Sequence, residues 1–243
     1  MTSIELATRD GKCPARVFHP ASGGPWPGVL FFMDGLGFRE ALFEVGDAIA
    51  QHGYYVLLPD MFYRAGPYTP VDPKVIFSDP EVRAAWGQKI RGHTSQELAM
   101  RDTAAFLDYL AAQPEVRQPK VGTTGYCMGG GYSLSAAGFY PDRVAAAAAF
   151  HPGNLATDAP DSPHLVAAKI KARVYIAAAT EDQSFPDAMQ ERVRDALAAA
   201  HVEHTLETYP ARHGWVPRDT PVHDPAQARR HLDALFALFD ATL

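Results

Sequence analysis

Cysteine is scarce: Cys13 and Cys127 are the only two in 243 residues. Two thiols so far apart in the chain provide no disulfide framework and no four-cysteine metal site. Runs of Lys or Arg are also missing, and 22 basic against 28 acidic residues leave a formal charge of −6. That excludes the electrostatic footprint of a nucleic-acid or anionic-membrane partner. No apolar stretch approaches the length that spans a bilayer, and the opening Met1-Thr2-Ser3-Ile4-Glu5 carries no charged or apolar leader. Gly129-Gly130-Gly131 is glycine-rich, but the G-x-G-x-x-G spacing and the Lys-Ser/Thr ending of a phosphate loop are absent. His201 and His204 are three apart, yet a helix is expected to end between them, which removes a shared metal-binding face. The expectation is a cytoplasmic protein, a monomer or small homo-oligomer, that acts on a small molecule without metal or cofactor.

Apolar residues are plentiful, at 47%, and the length suits one large α/β domain over residues 1–243. Short β-type runs alternate with longer helical patterns, the signature of a mostly parallel sheet with helices on both faces. Ile4 to Ala7 and Ala15 to His19 predict a hairpin around Asp10-Gly11. Further strands are expected at Gly28 to Met33, Tyr54 to Pro59, Lys120 to Thr124, Val144 to Phe150, Arg173 to Ala179 and His204 to Tyr209. Helices are expected at about 39–52, 128–140, 186–200 and 225–239. Another is opened by a capping box of Thr94 and Glu97, with Leu98, Phe106, Leu107 and Leu110 on one face. Residues 61–92, rich in proline and aromatics, break this rhythm after a strand's C-terminal end. There they read as a lid over the ligand-binding edge or, more plainly, as a surface loop.

Gly125-Tyr126-Cys127-Met128-Gly129 follows a strand and precedes a small-residue helix. This is the pattern of a nucleophile elbow with cysteine as nucleophile, although a buried cysteine in an ordinary glycine-rich turn has the same spelling. A helix starting at Met128 turns its free N–H groups and positive dipole end toward the sulfur, favouring the thiolate. A thiol nucleophile needs a base, and the base an orienting carboxylate. Asp182 and His213 each lie just past a strand, in the chain order nucleophile, acid, histidine. Glu181 competes with Asp182, which could otherwise be a helix cap. The oxyanion donors expected of such a site are the N–H groups of Met128 and Gly35. Asp34, ending a buried strand, is either a cap or a group facing Cys127.

The stretches Met33-Asp34-Gly35-Leu36-Gly37, Leu58-Pro59-Asp60-Met61, Gly125-Tyr126-Cys127-Met128-Gly129-Gly130 and His213-Gly214-Trp215 resemble those of the dienelactone hydrolase family of α/β-hydrolases. The resemblance implies an α/β-hydrolase fold and hydrolysis of a lactone or small carboxylic ester. It makes Cys127, Asp182 and His213 a triad, with Gly35 and Met128 at the oxyanion. Asp34 stands where the family has a glutamate that helps to activate the thiol, one methylene shorter. Arginines that hold a substrate carboxylate correspond to Arg218 after the histidine, one position later than the pattern, and to Arg83 or Arg91 in the lid. Tyr63, Trp86, His151 and Trp215 are the other expected lining residues, though His151 could equally be a loop histidine satisfied by the Pro152-Gly153 backbone. Broad carboxylesterase or thioesterase activity is the alternative within the enzyme class. A redox-sensing or ligand-binding protein on the same fold is the alternative outside it.

Overall fold

A computed structural model describes residues 1–243, apart from the side chains of residues 118 and 119. The elements run β1 (Thr2–Thr8), β2 (Gly11–Phe18), β3 (Trp26–Phe32), α1 (Glu40–Gln51), β4 (Tyr55–Pro59), α2 (Pro73–Ser78), α3 (Pro80–Lys89), α4 (Gln96–Ala112) and β5 (Val116–Tyr126). They continue as α5 (Met128–Phe139), β6 (Val144–Phe150), β7 (Arg173–Ala179), α6 (Asp187–Ala199), β8 (His204–Tyr209) and α7 (Pro225–Asp240). The eight strands form one sheet in the order β1-β2-β4-β3-β5-β6-β7-β8. Only β1–β2 and β2–β4 pair antiparallel; the other pairs are parallel.

Both faces of the sheet are covered, and β5 shows how. Successive strand residues point to opposite faces. A Cβ at Gly122 would strike Phe239 of α7 at 2.7 Å, whereas the Thr123 hydroxyl lies 2.8 Å from that of Ser133 in α5. Helices α5 and α7 therefore lie on opposite sides. The alanine-rich β6 leaves room for α5, since a Cβ on Gly130 would already sit 3.2 Å from that of Ala149. Phe31, Phe32, Tyr126 and Phe150 are fully buried between the layers.

Two local expectations are corrected. The cap of α4 is Ser95, whose hydroxyl accepts the Leu98 N–H at 3.2 Å, so the capping oxygen comes one residue after Thr94. The 61–92 segment, read from the sequence as a lid or a surface loop, holds the two α-helices α2 and α3. Asp72 and Asp79 cap α2 and α3 through side-chain bonds to Lys74 N–H and to Glu81 and Val82 N–H, each followed by proline at the first helical position.

Because β3, β5, β6, β7 and β8 are parallel, the loops after them open at one edge. Asp34, Cys127, His151, Asp182 and His213 all lie just past those strand ends.

Candidate active site

Cys127 sits in a turn that other side chains would block. Its backbone has φ 53° and ψ −115°, a strained conformation for a residue with a Cβ. A Cβ on Gly125 would lie 1.9 Å from the carbonyl oxygen of Gly129, and one on Gly129 would lie 2.3 Å from that of Phe32. Glycine on both sides is thus a steric requirement. Cys127 N–H donates to Phe150 at 3.1 Å, tying the turn to β6. The side chain is partly exposed at the floor of a pocket of about 460 Å³, which also includes Gly35, Trp86, Arg91, His151 and His213.

His213 Nδ1–H donates to Asp182 Oδ2 at 2.7 Å, and Asp182 Oδ1 accepts Ser184 N–H at 2.8 Å. The adjacent Glu181 is exposed at positive φ and takes no part in this pair. Burial alone would push the Cys127 thiol up. The His213 imidazolium and its hydrogen bond to sulfur outweigh that and pull the thiol below its ordinary 9.0; Arg91 adds to the pull and Asp34 opposes it. Burial likewise disfavours the charged imidazole, but the Cys127 sulfur and Asp182 raise His213 to about 10. The two shifts describe one thiolate–imidazolium pair, held at the start of α5 where the helix end favours negative charge.

Two backbone N–H groups on the segments around this turn have no protein acceptor among the described residues. Met128 is the first residue of α5, so its N–H has no partner within the helix. Gly35 N–H has none among the described residues; Asp34 Oδ1 takes the next N–H, that of Leu36, at 2.9 Å. The Gly35 carbonyl accepts Trp86 Nε1–H at 2.8 Å, which joins α3 to this loop.

Residues 13–243 match the family described as the Dienelactone hydrolase family. The chain belongs to that family. Membership makes it an ester- and lactone-cleaving hydrolase with an α/β-hydrolase fold. A Synechocystis protein provisionally named carboxymethylenebutenolidase is 27% identical over 223 residues, 88% of this chain and 85% of that protein. A similarly named Methylorubrum extorquens protein is 28% identical over 211 residues, 85% of this chain and 69% of its own. A crystal structure of a provisionally named dienelactone hydrolase from Klebsiella pneumoniae superposes with a TM-score of 0.85 at 20% identity, covering 98% of this chain and 97% of the other.

Several residues expected at this family's site lie elsewhere. Tyr63 points back toward β1, its hydroxyl 2.7 Å from Thr8 Oγ1 and 3.3 Å from Asp102. Arg218 is drawn to Glu44 of α1 at 2.5 Å and is absent from the pocket wall. Trp215 is fully buried behind the site, stacked on Tyr209 and edge-on to His151. Arg218 and Trp215 follow His213 closely in sequence and Tyr63 follows the Leu58-Pro59-Asp60-Met61 stretch, yet the backbone turns carry all three away from the pocket.

The pocket does include Asp34, Arg83, Trp86, Arg91 and His151. Arg83 and Arg91 are exposed at its wall, and among the described residues neither forms an ion pair. His151 is fully buried at φ 36°, and the Pro152-Gly153 backbone does not satisfy it: among the described residues neither ring nitrogen has a partner. Burial and the nearby His213 charge hold its pKa well below 6.5, so this ring is neutral. Sequence reasoning missed Arg39, which donates to both Asp34 and Asp219. An arginine opening a helix directly after the glycine loop was the one available signal. Among the described residues no group of His, Cys, Asp and Glu could hold a metal ion, and no helix is long and apolar enough to cross a membrane.

Proposed function

We propose that this protein hydrolyses a lactone or small carboxylic ester through a thioester on Cys127, with Asp182 and His213 completing a triad. The observation that carries the reading is the Asp182–His213 hydrogen bond at 2.7 Å beside a thiol whose pKa the imidazolium lowers. The Cys127 thiolate adds to the acyl carbon, and the carbonyl electrons move onto oxygen between the Met128 and Gly35 N–H groups. As the tetrahedral intermediate collapses, the C–O bond breaks and His213 gives its proton to the leaving oxygen. Water then attacks the thioester while His213 takes a proton from it, and the C–S bond breaks to release the acid and restore the thiolate. No step needs a cofactor.

Residues 61–92 serve as a lid within a single domain. Support comes from Trp86 bound to Gly35 and from Phe77 of α2, which a Cβ on Gly214 would meet at 3.3 Å. The unpaired Arg83 and Arg91 suit a substrate carboxylate. Two free thiols, Cys13 and Cys127, accord with a reducing cytoplasm. With Arg218 bound to Glu44 instead of facing the pocket, a broad carboxylesterase or thioesterase is the second reading.

The test is incubation with p-nitrophenyl acetate and a panel of lactones, followed by intact-mass analysis. Turnover with a transient acyl adduct on Cys127 is expected. Stoichiometric thiol modification without turnover would instead indicate a sensor or receptor.

A further inference from the structure

One guanidinium joins the loop after β3 to the loop after β8. Arg39 is only 7% exposed. Its Nη1–H and Nη2–H donate to Asp34 Oδ1 and Oδ2 at 2.7 and 3.0 Å. Nε–H and Nη2–H donate to Asp219 Oδ2 and Oδ1 at 2.7 and 3.1 Å. Nη1 also reaches the Gly37 carbonyl at 3.3 Å. Both Asp34 oxygens are therefore engaged, Oδ1 twice because it also accepts Leu36 N–H. On the other side, Thr220 Oγ1–H next to Asp219 donates to the carbonyls of Gly214 and Pro217 at 2.8 and 3.1 Å, fastening the turn that follows His213.

Stability alone is a poor reason for such an arrangement. A buried ion network can often be replaced by apolar groups at no loss, because desolvation offsets the attraction. Directionality is what a planar guanidinium adds: its forked donors set the angle as well as the distance of two carboxylates. Here those carboxylates belong to the segments holding Gly35 N–H and His213.

We propose that Arg39 is a positioning residue for hydrolysis: through Asp34 it aims the Gly35 N–H at the developing oxyanion, while its bonds to Asp219 brace that loop against the turn after β8. Asp34 thus serves this frame and is not the group that activates the thiol. The inference rests on the hydrolase reading above. Its distinguishing feature is that alkylation of Cys127 needs a thiolate but no oxyanion donor, whereas ester hydrolysis needs both.

Two variants test it. The triple variant Asp34→Asn/Arg39→Met/Asp219→Asn removes all three charges and leaves none unpaired, while Arg39→Lys keeps the charge and loses the fork. Iodoacetamide alkylation should stay within about threefold of wild type in both, because His213 sets the thiolate. The kcat/KM for p-nitrophenyl acetate should fall about 100-fold in the triple variant and about tenfold in Arg39→Lys, the scale of a misplaced oxyanion donor. Equal losses of alkylation and hydrolysis would overturn the proposal in favour of Asp34 acting on the thiol. Hydrolysis within about threefold of wild type in both variants would overturn it in favour of a purely structural network. Should the triple variant lack a cooperative melt, Arg39→Lys decides by the same criteria. Wild-type protein that alkylates but hydrolyses no ester would sink the hydrolase reading, and this inference with it.

Discussion

His213 and Asp182 meet across 2.7 Å from the loops after β8 and β7, 31 positions apart. Those strands are parallel neighbours, Ala179 pairing with Tyr209, so both loops leave the sheet at the same level. Cys127, from the turn after β5, faces the pair across the intervening β6. Parallel pairing thus converts a wide sequence separation into contact, and the predictions for these residues follow from it.

Cys127→Ala should abolish ester hydrolysis, because no other group at the site can form the thioester. Its melting temperature should stay close to wild type, since alanine keeps the Cβ and removes only one atom from the pocket lining. Residual hydrolysis within about tenfold of wild type would refute a covalent role for the cysteine.

Thiol reactivity should track the His213 charge. The thiol titrates below 9.0 and His213 near 10, so the thiolate–imidazolium pair exists between those two pKa values. Wild-type alkylation by iodoacetamide should reach half its plateau below pH 9.0 and persist toward neutrality. With His213→Ala, burial acts against the thiolate without the imidazolium, and the midpoint should move upward by at least about one pH unit. An unchanged midpoint would mean that the thiol is activated by something else.

Asp182→Asn should lower kcat by at least about 100-fold, because the imidazole loses the carboxylate that orients and charges it. Glu181→Gln, changed at an exposed side chain, should stay near wild type. The reversed order in steady-state assays would assign the acid to Glu181.

Substrates bearing a free carboxylate should exceed their methyl esters in kcat/KM by about fivefold, since exposed guanidinium groups gain up to about 1 kcal/mol from such a pair. Arg83→Ala combined with Arg91→Ala should erase the preference, and Arg218→Ala should leave it intact. Equal rates on both substrates in wild type would favour a general esterase.

His151→Phe should leave the melting temperature unchanged or raise it. Both imidazole nitrogens are buried without partners among the described residues, and an unsatisfied buried polar group costs about 1–3 kcal/mol. A melting temperature lowered by more than a few degrees would show that the ring makes a bond to a water or ligand that the apolar replacement cannot supply.

Much of the scaffold was legible because local patterns match the elements that form. The predicted strands Val144–Phe150, Arg173–Ala179 and His204–Tyr209 coincide with β6, β7 and β8. Apolar β-type runs bounded by turn residues leave little freedom in such segments. The cap of α4 slipped by one residue because Thr94 and Ser95 have the same capping chemistry, and only the backbone path separates them. Helix α2 escaped because six residues with two prolines nearby carry no clear periodicity.

At the site, the glycine spacing around Cys127 announces an elbow because no other residue type fits beside it, and that constraint is local. The chain order of Cys127, Asp182 and His213 likewise follows from residue types at strand ends. Where a long side chain goes is a different matter. Arg218 and Trp215 stand near His213 in sequence, and Tyr63 follows the Leu58-Pro59-Asp60-Met61 stretch, yet Glu44, Tyr209 and Thr8 hold them elsewhere. Arg39, 180 positions from Asp219, is the reverse case, brought to its partner by the closing of the sheet edge. Sequence determines what the backbone can do over a few residues, through sterics, periodicity and capping. The partner of a flexible charged or aromatic side chain depends on which loops converge, and that is decided only when the tertiary fold brings them together.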